Sequence, residues 1–231
     1  MRFAAAFCFA ASLVAPIVCE GADRNESIGQ PWIATAGILR DGGQSGSGVY
    51  LWSGLIITAA HLTAIDAEMS VRIAGVVLPA KLLKQGSFED VDLSVLLIDE
   101  ERLPAAIELP RMQLCEAPPW PGDPVIVVDA GHATRSHIVA PQVLPFTTRH
   151  KFSTLIGDVA TTGNSGSGVF DPNCKCLLGI MSRKFVSGDK EVAKYFVPAA
   201  AIRDFILAEF RPQNVRTLLS VSTLPRSSAI G

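Results

Sequence analysis

Three groups that acyl transfer requires stand far apart in this chain, each at the edge of an apolar or glycine-rich stretch. The hydroxyl lies in Thr161-Thr162-Gly163-Asn164-Ser165-Gly166-Ser167-Gly168-Val169-Phe170, a loop that runs into an apolar strand. Glycines allow the positive φ angles of a tight loop, so the backbone N–H groups of Gly163 and Ser165 can converge on the negative oxygen of a tetrahedral intermediate. A base is offered by His61, which ends the apolar run Leu55-Ile56-Ile57-Thr58-Ala59-Ala60. A carboxylate is offered by Asp92, inside Val91-Asp92-Leu93-Ser94-Val95-Leu96-Leu97-Ile98, which otherwise reads as a buried strand. Burying a carboxylate is costly unless it is paired or hydrogen-bonded. Asp92 therefore needs a partner, and an imidazolium formed during catalysis supplies one. Taken singly, each match also has a plain reading as a Gly/Ser turn or a structural histidine. Asp90 and Ser167, two residues from Asp92 and Ser165, are rivals for the acid and nucleophile roles.

The elements that must position these groups are short and β-rich. Apolar runs at 32–39, 48–52, 55–58, 71–83 and 92–98 are separated by glycines and polar residues, and a second set follows at 125–129, 137–144, 152–156, 169–170, 176–182 and 192–197. Repeated short strands without long helical periods predict antiparallel barrels or sandwiches. His61 falls at the end of one predicted strand and Asp92 at the start of another. Prolines at 104, 110, 118, 119, 121 and 124 mark the stretch between the two sets as an extended connection. Ile202, Phe205, Ile206 and Phe210 repeat at helical spacing and predict a helix over 199–210.

The order His61, Asp92, Ser165 and five segments, Gly46-Ser47-Gly48-Val49, TAAH ending at His61, DLSVL from Asp92, GNSGSGVF from Gly163 and Leu178-Gly179-Ile180-Met181-Ser182, resemble the trypsin-like, chymotrypsin-fold serine proteases. Within that family GNSGSGVF is most similar to the bacterial glutamyl-endopeptidase-like branch. The resemblance spans roughly residues 31 to 210. It implies an all-β fold of two six-stranded antiparallel β-barrels with a C-terminal α-helix. The barrels would occupy 31–103, with His61 and Asp92, and 125–210, with Ser165. Residues 104–124 would link them and 211–231 form a tail. Ser165 would be the nucleophile, His61 the general base, Asp92 its orienting acid, and the amides of Gly163 and Ser165 the oxyanion hole.

The same resemblance carries expectations about substrate and regulation. Val159 stands where trypsin-like enzymes that cut after Lys or Arg place an aspartate, so a basic side chain finds no buried anion there. The histidine by which the glutamyl branch reads an acidic side chain is replaced by Met181. Arg183, Lys184 and Lys194 fall on the strands flanking the pocket, with Lys194 the leading candidate to pair with a substrate carboxylate. The plainer reading leaves these three side chains in solvent. Ser182 would line the substrate site or hydrogen-bond the buried aspartate. Asn164 occupies the position of the aspartate that pairs with a newly cut N-terminus in trypsin-like zymogens, which implies activity without that cleavage.

Composition sets the outer limits. The 231 residues with 48% hydrophobic content can build a sizeable core, and a net charge of -2 without a basic cluster argues against nucleic acid as a partner. Arg2 followed by an apolar stretch from Phe3 to Val18 predicts a signal peptide over 1–21, a secreted or periplasmic product, and no membrane span in the mature chain. Cys8 and Cys19 fall in or beside that leader. Of the remaining three, Cys115 is expected to bridge Cys174 or Cys176, since neighbours two apart on a strand do not easily bridge each other. No zinc-like ligand spacing accompanies them, so neither metal nor cofactor is expected. The partner implied is a protein or peptide substrate, and the oligomeric state stays open. Two further readings compete with a secreted endopeptidase: a catalytically idle protease-like binding module, and an envelope chaperone-protease.

Overall fold

In a computed structural model of the chain, which describes residues 34–129, 132–157, 165–173 and 175–209, two closed antiparallel barrels follow one another. The first contains β1 (Thr35–Arg40), β2 (Gly43–Trp52), β3 (Leu55–Thr58), β4 (Met69–Ile73), β5 (Val76–Gln85) and β6 (Ser94–Ile98), in the order β1-β2-β3-β6-β5-β4 with β1 paired to β4. The second contains β7 (Pro124–Val128), β8 (Ala133–Val139), β9 (Leu155–Ile156), β10 (Gly168–Phe170), β11 (Leu177–Ser187) and β12 (Lys190–Pro198), in the order β10-β11-β12-β9-β8-β7. A one-turn helix α1 (Phe146–Arg149) and a terminal helix α2 (Ala199–Glu209) complete the described chain. The leader, Val159, Gly163, Asn164, Cys174 and the tail lie outside the described residues.

Three hairpins of the first barrel turn by one device. Asp41-Gly42, Ser53-Gly54 and Ala74-Gly75 each hold two consecutive positive φ angles, the type I′ geometry whose twist matches that of paired strands. The last of these divides the apolar run at 71–83, expected as one strand, into β4 and β5. In the second barrel the run expected at 137–144 ends early, because Pro141 lacks a ladder N–H and opens a 3-10 turn over Pro141–Val143. Only Leu155 and Ile156 of the expected 152–156 strand pair with neighbours. Conversely β11 and β12 extend well past their apolar stretches into Arg183, Lys184, Lys190 and Glu191.

One apolar cluster joins the barrels, running from Ile38, Val49 and Ile57 to Phe170, Leu177, Ile180 and Val197. Helix α2 adds Ile202 and Ile206 to it, the face its sequence spacing predicts. Lys84 fastens the same helix to the first barrel, lying 4.2 Å over the Phe205 ring and donating to the Phe205 carbonyl at 2.8 Å. The connection between barrels is also tied to both. The Met112 N–H donates to the Leu51 carbonyl at 2.8 Å, the Cys115 N–H to Leu177 at 3.0 Å, and Cys115 is disulfide-bonded to Cys176.

Candidate active site

His61 sits in a 3-10 turn, Ala60–Leu62, directly after β3. The turn is braced from beneath: Thr63 Oγ1 donates to the Ala60 carbonyl at 3.0 Å and lies 2.8 Å from Ser94 Oγ, while Gln85 Nε2 donates to the carbonyls of Ala60 and Thr63 at 3.2 and 2.9 Å. Asp92 does not open β6 as expected but lies in the tight loop before it. There the Leu93 N–H donates to the Val91 carbonyl at 2.8 Å, and the Asp92 side chain turns away from the ladder toward His61.

Asp92 is 1% exposed, and its carboxylate meets three donors. The His61 backbone N–H donates to Oδ1 at 3.0 Å, His61 Nδ1 lies 2.9 Å from Oδ2, and Ser182 Oγ donates to Oδ2 at 2.6 Å. Burial pushes this carboxyl up, but the His61 ring, the Ser182 hydroxyl and the His61 N–H together outweigh it and hold it below its ordinary value of 3.8. An ionised carboxylate only accepts, so Nδ1 carries the proton and Nε2 of the neutral ring is left as an acceptor. Ser182 thus meets the aspartate, while also lining the cavity beside Ser165. The two rivals stand elsewhere: Asp90 is exposed in the preceding loop, and Ser167 is 0% exposed, beyond reach of a substrate.

Ser165 comes from the second barrel but is positioned against the first. Its carbonyl accepts the Ser47 N–H at 3.0 Å, and the following Gly166 N–H donates to the Met181 carbonyl at 2.8 Å. Gly166 has φ +81°, and a Cβ there would overlap the Ser47 carbonyl oxygen, so glycine is required on both counts. Ser47 is itself held by Thr58 Oγ1, which donates to its carbonyl at 2.6 Å.

His61 and Ser165 line one cavity of about 480 Å³. It is also lined by the buried Met181 and Ser182 and by Arg183, Lys184, Glu191 and Lys194. A larger concavity of about 720 Å³ on the first barrel, bordered by Ser53, Lys81 and Glu101, contains none of the three acyl-transfer groups. Phe88 caps the His61 ring edge-on at 5.5 Å, and the Arg183 guanidinium lies 3.9 Å from Phe88 and 5.0 Å from Phe152 while donating to the Phe88 carbonyl. Phe88, Gln85 and Thr63 were not legible as site residues. Nothing in their immediate sequence distinguishes them from ordinary loop or strand positions. Among the described residues no group of three His, Cys, Asp or Glu side chains could hold a metal ion, and no helix is long and apolar enough to cross a membrane.

A barrel pair with a buried carboxylate on a histidine and a serine in the facing loop defines a class, and comparison with known proteins assigns it. Residues 46–180 match the model of the trypsin-like peptidase domain, and the chain belongs to this family. No curated protein matches it. Among solved structures, the serine endoprotease from Yersinia pestis aligns at 22% identity and TM-score 0.60, covering 84% of this chain and 68% of that one. Kallikrein-related peptidase 10 aligns at 16% and 0.62, covering 80% and 96%. The inactive form of the Rv3671c protease from M. tuberculosis aligns at 15% and 0.57, covering 78% and 91%. At these identities the likeness is one of fold.

Proposed function

We propose that this protein is a secreted or periplasmic serine endopeptidase acting through an acyl-enzyme. The observation that carries the reading is the buried Asp92 carboxylate, which takes two hydrogen bonds from His61, a residue that lines one cavity with Ser165. In this mechanism Ser165 Oγ attacks the scissile carbonyl carbon as His61 Nε2 takes its proton. The resulting oxyanion is held by the N–H groups of Gly163 and Ser165. Collapse breaks the C–N bond, His61 returns the proton to the leaving amine, and water then releases the acyl group by the same steps. Asp92 keeps the imidazole in the Nδ1–H tautomer and stabilises its charged form. The Cys115–Cys176 bridge supports an oxidising compartment.

The substrate reading is a preference for an acidic or small apolar residue before the cut, with Lys194 as its determinant. Burial pulls the Lys194 ammonium below its usual range, and it borders the cavity with Lys184. A peptide-library profile dominated by Arg or Lys, or one unchanged in Lys194→Ala, would remove this preference.

A fluorophosphonate probe tests the central claim, because capture requires an activated serine. The probe should label the wild type at Ser165 and fail on Ser165→Ala. Peptidase turnover should fall by about six orders of magnitude in that variant and about four in Asp92→Asn. An unlabelled, inactive wild type would favour the idle binding module instead.

A further inference from the structure

The cavity beside Ser165 carries a carboxylate of its own. Lys184 on β11 stands opposite Lys194 on β12, and two residues further along Val186 stands opposite Glu191. Along a regular strand, residues three apart such as Glu191 and Lys194 face opposite sides of the sheet. Here the register shifts between Phe185 and Val186, inserting one extra residue into β12. That bulge turns Glu191 onto the side occupied by Lys184 and Lys194, where its Oε1 lies 2.7 Å from Lys184 Nζ. The Lys184 hydrogen bond holds the Glu191 carboxyl below its usual range against the opposing effect of burial, with the charges of Lys184 and Lys194 adding to it. On Lys194 the Glu191 charge acts the other way from burial and favours the ammonium.

An ion pair near a hairpin tip would ordinarily be a minor surface contact. This one borders the same cavity as Ser165 and His61. Three cations, Arg183, Lys184 and Lys194, line it together with Glu191. The Arg183 guanidinium is engaged with the Phe88 ring and carbonyl, while Lys184 holds Glu191 by direct contact and Lys194 acts on it through its charge.

We propose that Glu191 is a resident counter-ion of the substrate cavity, which an acidic substrate side chain must displace from Lys184, so that Glu191 sets how strongly the enzyme selects acidic over neutral substrates. The inference rests on the reading of this cavity as the substrate site of a Ser165 peptidase. Exchanging one carboxylate for another leaves the number of ion pairs nearly unchanged, so an acidic substrate gains little over its amide isostere while Glu191 is charged. Removing that charge lets the incoming carboxylate make pairs that were already occupied.

The test compares matched peptides bearing Glu or Gln immediately before the scissile bond, using the full chain and Glu191→Gln. The ratio of kcat/KM for the Glu peptide over the Gln peptide should rise about two- to fivefold in Glu191→Gln, the size of one solvent-screened ion pair. The gain should reside in KM and shrink at high salt. Glu191→Ala should reproduce it, which guards against an effect peculiar to the glutamine amide. A ratio that is unchanged or lower in both variants overturns the inference. Fluorophosphonate labelling of the wild type separates the two levels. An unlabelled wild type removes the peptidase reading and this inference together, whereas a labelled wild type with an unmoved ratio removes only the role of Glu191.

Discussion

Asp92 is the residue on which the site's electrostatics turn. Its carboxyl is held below the ordinary value in the folded protein, so it binds fewer protons there than in the unfolded chain. The stability it contributes is therefore complete above its ordinary value of 3.8 and is lost as pH falls through the lower folded value. Urea unfolding of the wild type should show this acid-limb loss, and Asp92→Asn should lack it; parallel acid limbs in the two proteins would contradict the account. Ser182→Ala removes one of the three donors and raises the folded value, so the acid-limb loss should be smaller and complete at a higher pH than in the wild type. The same change should lower kcat/KM by about tenfold, the lower range for a hydrogen bond to a charged group. A merely structural role for Ser182 would not move the acid limb. The candidate residue was legible because a carboxylate amid Val91, Leu93, Val95 and Leu96 demands a partner. Its bond to the His61 backbone, the bracing by Gln85 and the Thr63–Ser94 contact were not, since those contacts join residues 22 to 31 positions apart and leave no local pattern.

At the scale of elements, the loop after Ser165 is fixed by backbone rather than by side chains. Gly166 combines a positive φ with close approach of β2, so Gly166→Ala must either strain the loop or push it from Ser47. Destabilisation of at least about 2 kcal/mol should result, by the usual cost of a special backbone position combined with an overlap. Fluorophosphonate labelling should fall further than stability alone explains, measured on the folded fraction at low temperature. Labelling that tracks only the folded fraction would mean the loop tolerates the shift. The glycine pattern of this loop was readable because it serves the backbone directly. Strand limits were less so. Ala74 takes a positive φ that its side chain does not advertise, which hid the β4–β5 hairpin within an apolar run. The β11–β12 hairpin hid its length behind Arg183, Lys184 and Glu191, because strands bordering a cavity carry polar side chains where core strands carry apolar ones.

For the whole molecule, the shared apolar cluster and the doubly tied connection should make the two barrels unfold as one cooperative unit. The disulfide closes that arrangement. Sequence reasoning left Cys174 and Cys176 open as partners of Cys115, because spacing alone does not say which of the two it bridges; Cys176 packs against the cluster containing Cys115, Val125 and Leu178. The bridge spans 61 residues, from the connection between barrels to the start of β11, and so encloses the loop carrying Ser165. Closing a loop of that length restrains the unfolded chain by about 4 kcal/mol on the chain-entropy model, and measured values generally run lower. Cys115→Ser should therefore lower the unfolding free energy by about 2–4 kcal/mol, read from urea titration of the β signal. Because the core is continuous, loss of Ser165 labelling should coincide with loss of that signal rather than precede it. An unchanged midpoint would show that the bridge constrains nothing the native contacts do not already hold, and labelling lost well before the β signal would show that the second barrel unfolds on its own.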